Sequence, residues 1–140
     1  MKFVLLGIFG VSVWLIATLF FMFLGQHVLI PPGEDFYWFH FLLLETATAV
    51  LLFFTTLIYV KLDRTPKAAF RFAVGGTMIG LFLDSLSITY HTVFFSNLSE
   101  GQLISFVVWL CSAYALYLFI PFAADRKLKK RVGVSIANAS

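Results

Sequence analysis

The sequence predicts an all-α integral membrane bundle of four antiparallel transmembrane helices, with the N- and C-termini cytoplasmic. Three observations carry this. Of 140 residues, 61% are hydrophobic and 12% charged; a soluble domain carries about 25% charged residues, so the bilayer must act as part of the solvent. Four apolar segments reach the ~20 residues that a helix needs to cross a ~30 Å hydrocarbon core. All ten basic residues fall on one side of the resulting layout.

Span one covers about 3–25. Its apolar run is longer than the ~7–15 residues of a signal peptide and no A-x-A site follows, so it reads as a retained helix. Gly7, Val11, Trp14, Thr18 and Gly25 recur on it at helical spacing. The run QHVLIPPGED then breaks the chain at Pro31-Pro32-Gly33.

Span two covers about 36–60 and opens on FYWF, which suits an aromatic belt at the outer interface. It carries a polar stripe of Glu45, Thr48, Leu52, Thr56 and Tyr59. The turn KLDRTPK follows, where Thr65-Pro66 reads as an N-cap and first helical position.

Span three covers about 70–95. Gly76, Gly80, Asp84, Ser87 and His91 follow steps of four, four, three and four, so they share one helix face. Gly76 and Gly80 form a small-xxx-small packing motif that lets another helix backbone approach closely. Asp84 therefore points into the bundle, because lipid exposure of a carboxylate costs at least ~2.5–3.5 kcal/mol. Span four covers about 102–123, with Ser105, Trp109, Ser112 and Leu116 at helical spacing. Residues 1–125 form the transmembrane domain and 126–140 a basic cytoplasmic tail, read as polar and mobile.

Lys2 precedes span one, four basic residues flank the turn between spans two and three, and five follow span four. The other loops carry only Glu34, Asp35 and Glu100. The positive-inside rule then sets both termini in the cytoplasm of a multi-pass protein of the plasma (inner) membrane. Cys111 is the single cysteine, which excludes a disulfide within the chain and a CxxC centre. Nothing in the chain has the basic-aromatic pattern of a nucleic-acid binder.

Glu45 lies about 13 Å inside the outer end of span two and Asp84 about 16 Å inside that of span three. The two acids lie in the same slab on adjacent spans and approach one another if their stripes face; at neutral pH at least one of them is expected to be protonated, as in a coupled pair that shares a proton. His40 and His91 lie nearer the outer interface, with Thr48 and Ser87 on the acid stripes. Trp14 and Trp109 are the candidate indole donors to the acids. The site read from the sequence is thus Glu45, Asp84, His91, His40, Thr48 and Ser87, with Gly76 and Gly80 as packing positions and no metal, cofactor or enzymatic role.

The leading functional reading is a proton-coupled or cation/small-solute transporter that uses the buried carboxylate pair. The alternative is a non-catalytic accessory, sensor or immunity-type membrane subunit, acting as a homo-oligomer or with a larger membrane partner. A remote third is a haem- or quinone-binding anchor using His40 and His91.

Overall fold

A computed structural model describes residues 1–139, among which there are five helices and no strand. They are α1 (Lys2–Val28), α2 (Tyr37–Asp63), α3 (Ala68–Thr89), α4 (His91–Phe94) and α5 (Glu100–Ala139). Four of them, all but α4, are long and apolar enough to cross a membrane.

The breaks fall where local chemistry demands them. α1 ends as Leu29 turns extended ahead of Pro31-Pro32, and Gly33 takes φ 91°, a left-handed turn that suits glycine. α2 closes on Arg64 in the left-handed region, its N–H bonded to the Val60 carbonyl. The expected Thr65 cap is not formed. The N-cap of α3 is Lys67, without a side-chain hydrogen bond. Thr65 instead donates to Asp63 at 2.9 Å and accepts from Arg71 at 3.1 Å, because Asp63 and Arg71 pair across the turn and draw the hydroxyl in.

Two boundaries differ from the sequence reading by more than about three residues. Span three was expected to continue to residue 95, but α3 stops at Thr89 and a single turn, α4, follows Tyr90. Asp84 is therefore five residues, or about 8 Å, from the end of its helix, whereas Glu45 is eight residues, or about 12 Å, from the start of α2. Span four, expected to end near residue 123, runs unbroken through Pro121 to Ala139. Its length of about 60 Å is twice the hydrocarbon thickness, so the basic segment extends the helix rather than leaving it. Lys127 lies over the Phe53 ring at 5.6 Å from its centroid. Ser140, the last residue of the predicted tail, lies outside the described residues.

α5 begins at a capping box that the sequence reading did not single out. The Gln102 N–H donates to Ser99 Oγ at 3.2 Å and the Ser99 N–H donates to Gln102 Oε1 at 3.0 Å. The Gln102 amide also donates to the Gln26 and Leu29 carbonyls, both at 3.0 Å, and Ser105 donates to the Ile30 carbonyl. The start of α5 is thereby fastened to the end of α1 and the loop beyond it.

α3 is the central helix. Its apolar stretch has the lowest mean hydropathy, 1.5 against 2.4, 2.1 and 2.2, and the largest buried share. It packs broadly on α1 and α5 and less on α2, while α2 packs mainly on α5 and touches α1 only sparsely. Spans two and three are therefore weaker neighbours than their short connection suggests. The core divides into two aromatic layers. One is built from Leu6, Leu52, Tyr59, Phe72 and Tyr117; Tyr59 stacks on Phe72 at 5.0 Å. The other holds Phe21, Phe95, Phe106 and Trp109, with Phe21 and Trp109 at 4.5 Å.

Candidate functional site

Asp84 is buried and is held by two helices at once. The Trp14 indole N–H of α1 donates to Asp84 Oδ1 at 3.0 Å, and the Tyr114 hydroxyl of α5 donates to Oδ2. Each oxygen thus accepts one hydrogen bond, a bond that is strongest when the carboxylate is ionised. Among the described residues no cation is a partner of Asp84. Arg71 pairs with Asp63, whose side chain is fully buried, at the α2–α3 turn.

Glycines make this reach possible, in a way that differs from the expected backbone-to-backbone approach. A Cβ on Gly80 would stand 2.6 Å from the Tyr114 hydroxyl, and one on Gly76 would collide with the hydroxyl end of Tyr117. The two tyrosine rings stack at 6.4 Å and lie over the glycine face of α3. What fills the room left by the missing side chains is aromatic.

A cavity of about 200 Å³ lies between the two core layers. All four long helices contribute to it, with Trp14 and Thr18 from α1, Thr48 from α2, Asp84 from α3, and Trp109 and Tyr114 from α5. Most of the remaining wall is aliphatic or phenylalanine. A second, much smaller cavity of about 10 Å³ lies beyond Trp109, beside His40, Tyr37 and Ser105.

The structure does not assemble the six predicted site residues into one centre. Asp84 and Thr48 share the large cavity. Glu45 is not in its wall and is not a hydrogen-bond partner of Asp84; its Oε1 is buried with no hydrogen-bond partner. The expected facing pair is absent because α2 leans on α5 rather than on α3. Ser87 is buried but donates to the backbone carbonyl of Asp84 at 3.2 Å. His40 and His91 engage carbonyls of their own local backbone through Nδ1, Phe36 at 3.2 Å and Ile88 at 3.0 Å. His91 stands on α4, off the acid-bearing helix. No group of three or more His, Cys, Asp or Glu placed to hold a metal ion occurs among the described residues.

The sequence reading missed Tyr114 and Tyr117. Their signal was present, as two tyrosines three apart on span four to complement two glycines four apart on span three. Without the helix rotations the pairing was not forced. Of the two tryptophans considered as donors, Trp14 reaches Asp84, while the Trp109 indole N–H is buried without a hydrogen-bond partner.

No family profile matches the chain, and no solved structure matches it. Over 100 residues it is 35% identical to the uncharacterized protein YnzE of Bacillus subtilis (strain 168), a stretch covering 71% of this chain and 99% of that protein. The chain belongs to the YnzE family. A stretch of 100 residues in a chain of 140 must contain 41–100, so the positions of Glu45 and Asp84 both lie in the part shared with YnzE. Trp14 and Tyr114 stand too far apart for both to fall inside it, so the full three-residue clasp extends beyond the shared stretch.

Proposed function

We propose that this small multi-pass membrane protein binds and carries a small solute, with Asp84 as the acid of the site. The observation that supports this best is the cavity of about 200 Å³, walled by four helices and carrying one buried carboxylate that has no cationic partner among the described residues. Ionisable groups buried at membrane depth, facing a cavity, are the usual elements of proton and solute pathways. The predicted carboxylate pair reduces in this reading to a single acid, with Glu45 outside the cavity wall.

The arrangement in the membrane follows from charge. The basic residues on one side of the layout support antiparallel helices in the plasma (inner) membrane, with both termini in the cytoplasm.

One observation favours the accessory-subunit reading. Both Asp84 oxygens already accept hydrogen bonds, as a carboxylate that only joins helices would. The two readings part in proteoliposomes. Proton uptake driven by an outward potassium gradient is expected in the wild type and in Glu45→Gln, and is expected to be lost in Asp84→Asn. Equal flux in all three, or none in any, supports the accessory role and overturns the carrier.

A further inference from the structure

We infer that the solute is a lipid-soluble amine that enters the cavity sideways from the bilayer, between α1 and α2. This rests on the carrier reading and adds both the route and the chemical class.

The route comes from where the wall is exposed. Ile16, Phe20 and Leu51 line the cavity, yet they are 54%, 37% and 40% exposed, and Ala47 beside them is exposed too. The wall residues contributed by α3 and α5 are buried or half-buried. The exposed part of the wall is therefore confined to α1 and α2, the pair that touches only sparsely. Ile16 and Leu51 stand near the midpoints of their helices. In a spanning helix that level is the hydrocarbon core, so the window faces acyl chains and not water. A solute using it must dissolve in lipid, and the apolar lining suits such a body.

The class comes from the hydrogen-bonding capacity left at the polar end. A carboxylate offers about four lone-pair sites, and Asp84 has two of them filled by Trp14 and Tyr114. Both of those donor hydrogens are engaged. Thr48 donates its hydroxyl hydrogen to the Leu44 carbonyl at 2.8 Å, which leaves its oxygen as an acceptor. Around Asp84 the remaining capacity is thus to accept. A solute that presents N–H groups satisfies it, and a basic nitrogen also supplies the positive charge that no lysine or arginine brings to this carboxylate. A carboxylic acid of the same size meets a like charge at Asp84; the unengaged Trp109 indole N–H and Tyr117 hydroxyl elsewhere in the wall offer it hydrogen bonds but no positive charge.

The test uses the full chain in lipid vesicles on a Trp38→Phe background. Trp38 is exposed at the start of α2 and outside the cavity, so the remaining emission comes from Trp14 and Trp109, both in its wall. The probes are ω-bromo-octylamine, ω-bromo-octanol and ω-bromo-octanoic acid, whose bromine quenches indoles on contact. The amine is expected to quench saturably, at a membrane concentration about tenfold lower than the alcohol, the ratio expected of one charge-assisted hydrogen bond. The acid is expected to quench without saturation. Saturation by the amine is expected to vanish in Asp84→Asn and in Ala47→Phe, which fills the window from an exposed position. Should Asp84→Asn fail to fold, Ala47→Phe and the probe comparison decide. Equal, non-saturating quenching by amine and alcohol, or saturable quenching untouched by Ala47→Phe, overturns the inference. If Asp84-dependent proton flux persists in that event, the carrier reading stands and only the amine and its route fall.

Discussion

Tyr114 reaches Asp84 by lying across Gly80, so the hydrogen bond from α5 to α3 depends on a side chain that is not there. A Cβ at position 80 would stand 2.6 Å from the tyrosine hydroxyl. The ring must move for the alanine to fit, and the carboxylate then loses one of its two donors. Gly80→Ala is expected to lower stability by about 1–3 kcal/mol, the usual cost of overpacking a tight site. Gly7→Ala is the matched control. Nothing lies within 4 Å of a Cβ there, so the gain in helix propensity, up to about 1 kcal/mol, goes uncontested. Reversible unfolding in mixed micelles measures both.

The two donors of Asp84 are each expected to matter alone and to couple. Tyr114→Phe and Trp14→Phe each remove one hydrogen bond to a buried carboxylate, at a cost of about 1–3 kcal/mol. Because both act on one group, the double variant is expected to deviate from additivity by at least about 0.5 kcal/mol. Strict additivity in a double-mutant cycle would mean that the carboxylate does not join α1 and α5 through α3.

Why was so much of the architecture readable from residues, and so little of the site? Membrane helices announce themselves by length and hydropathy, and Pro31-Pro32, Pro66 and the SNLSEG run mark their ends. The inward face of α3 was readable as well, since Gly76, Gly80, Asp84 and Ser87 fall on one stripe and all four are buried. Helix neighbours were not readable. Short connections suggested that α2 faces α3, but α2 leans on α5, and Glu45 went with it. Phase on α1 was also ambiguous, because nearly every residue there is apolar. The chosen stripe included Gly7 and Val11, whereas Val11 is exposed and the buried face runs through Leu6, Gly10, Thr18, Phe21 and Gly25. Hydrophobicity alone cannot phase a helix whose outer face is solvated by lipid.

At the α2–α3 turn the Asp63–Arg71 pair, with Thr65 between them, ties two helices that otherwise share little contact. Asp63→Ala is expected to destabilise by about 1–3 kcal/mol, as for loss of hydrogen bonds to a charged group. It is also expected to speed proteolysis at this turn. Lys61→Ala, at an exposed neighbouring position, is expected to leave both properties unchanged.

The start of α5 offers a graded comparison. Ser99→Ala removes one capping bond and is expected to cost about 0.5–2 kcal/mol. Gln102→Ala removes the reciprocal bond and both bonds to the end of α1, so its loss is expected to be the larger of the two. Equal losses in unfolding experiments would show that the Gln26 and Leu29 contacts add nothing to the cap.

The most direct test of a solute site at Asp84 compares Asp84→Asn with Tyr114→Phe in two assays, unfolding stability and Asp84-dependent proton uptake. Asparagine keeps a carbonyl that accepts a hydrogen bond but lacks the acid; phenylalanine keeps the acid but lacks one of its donors. A functional site predicts a crossed result: Asp84→Asn retains most of the stability and loses uptake, while Tyr114→Phe loses stability by about 1–3 kcal/mol and retains uptake. A parallel result, with uptake falling in both variants only in proportion to stability, would contradict it and make Asp84 a joint between helices.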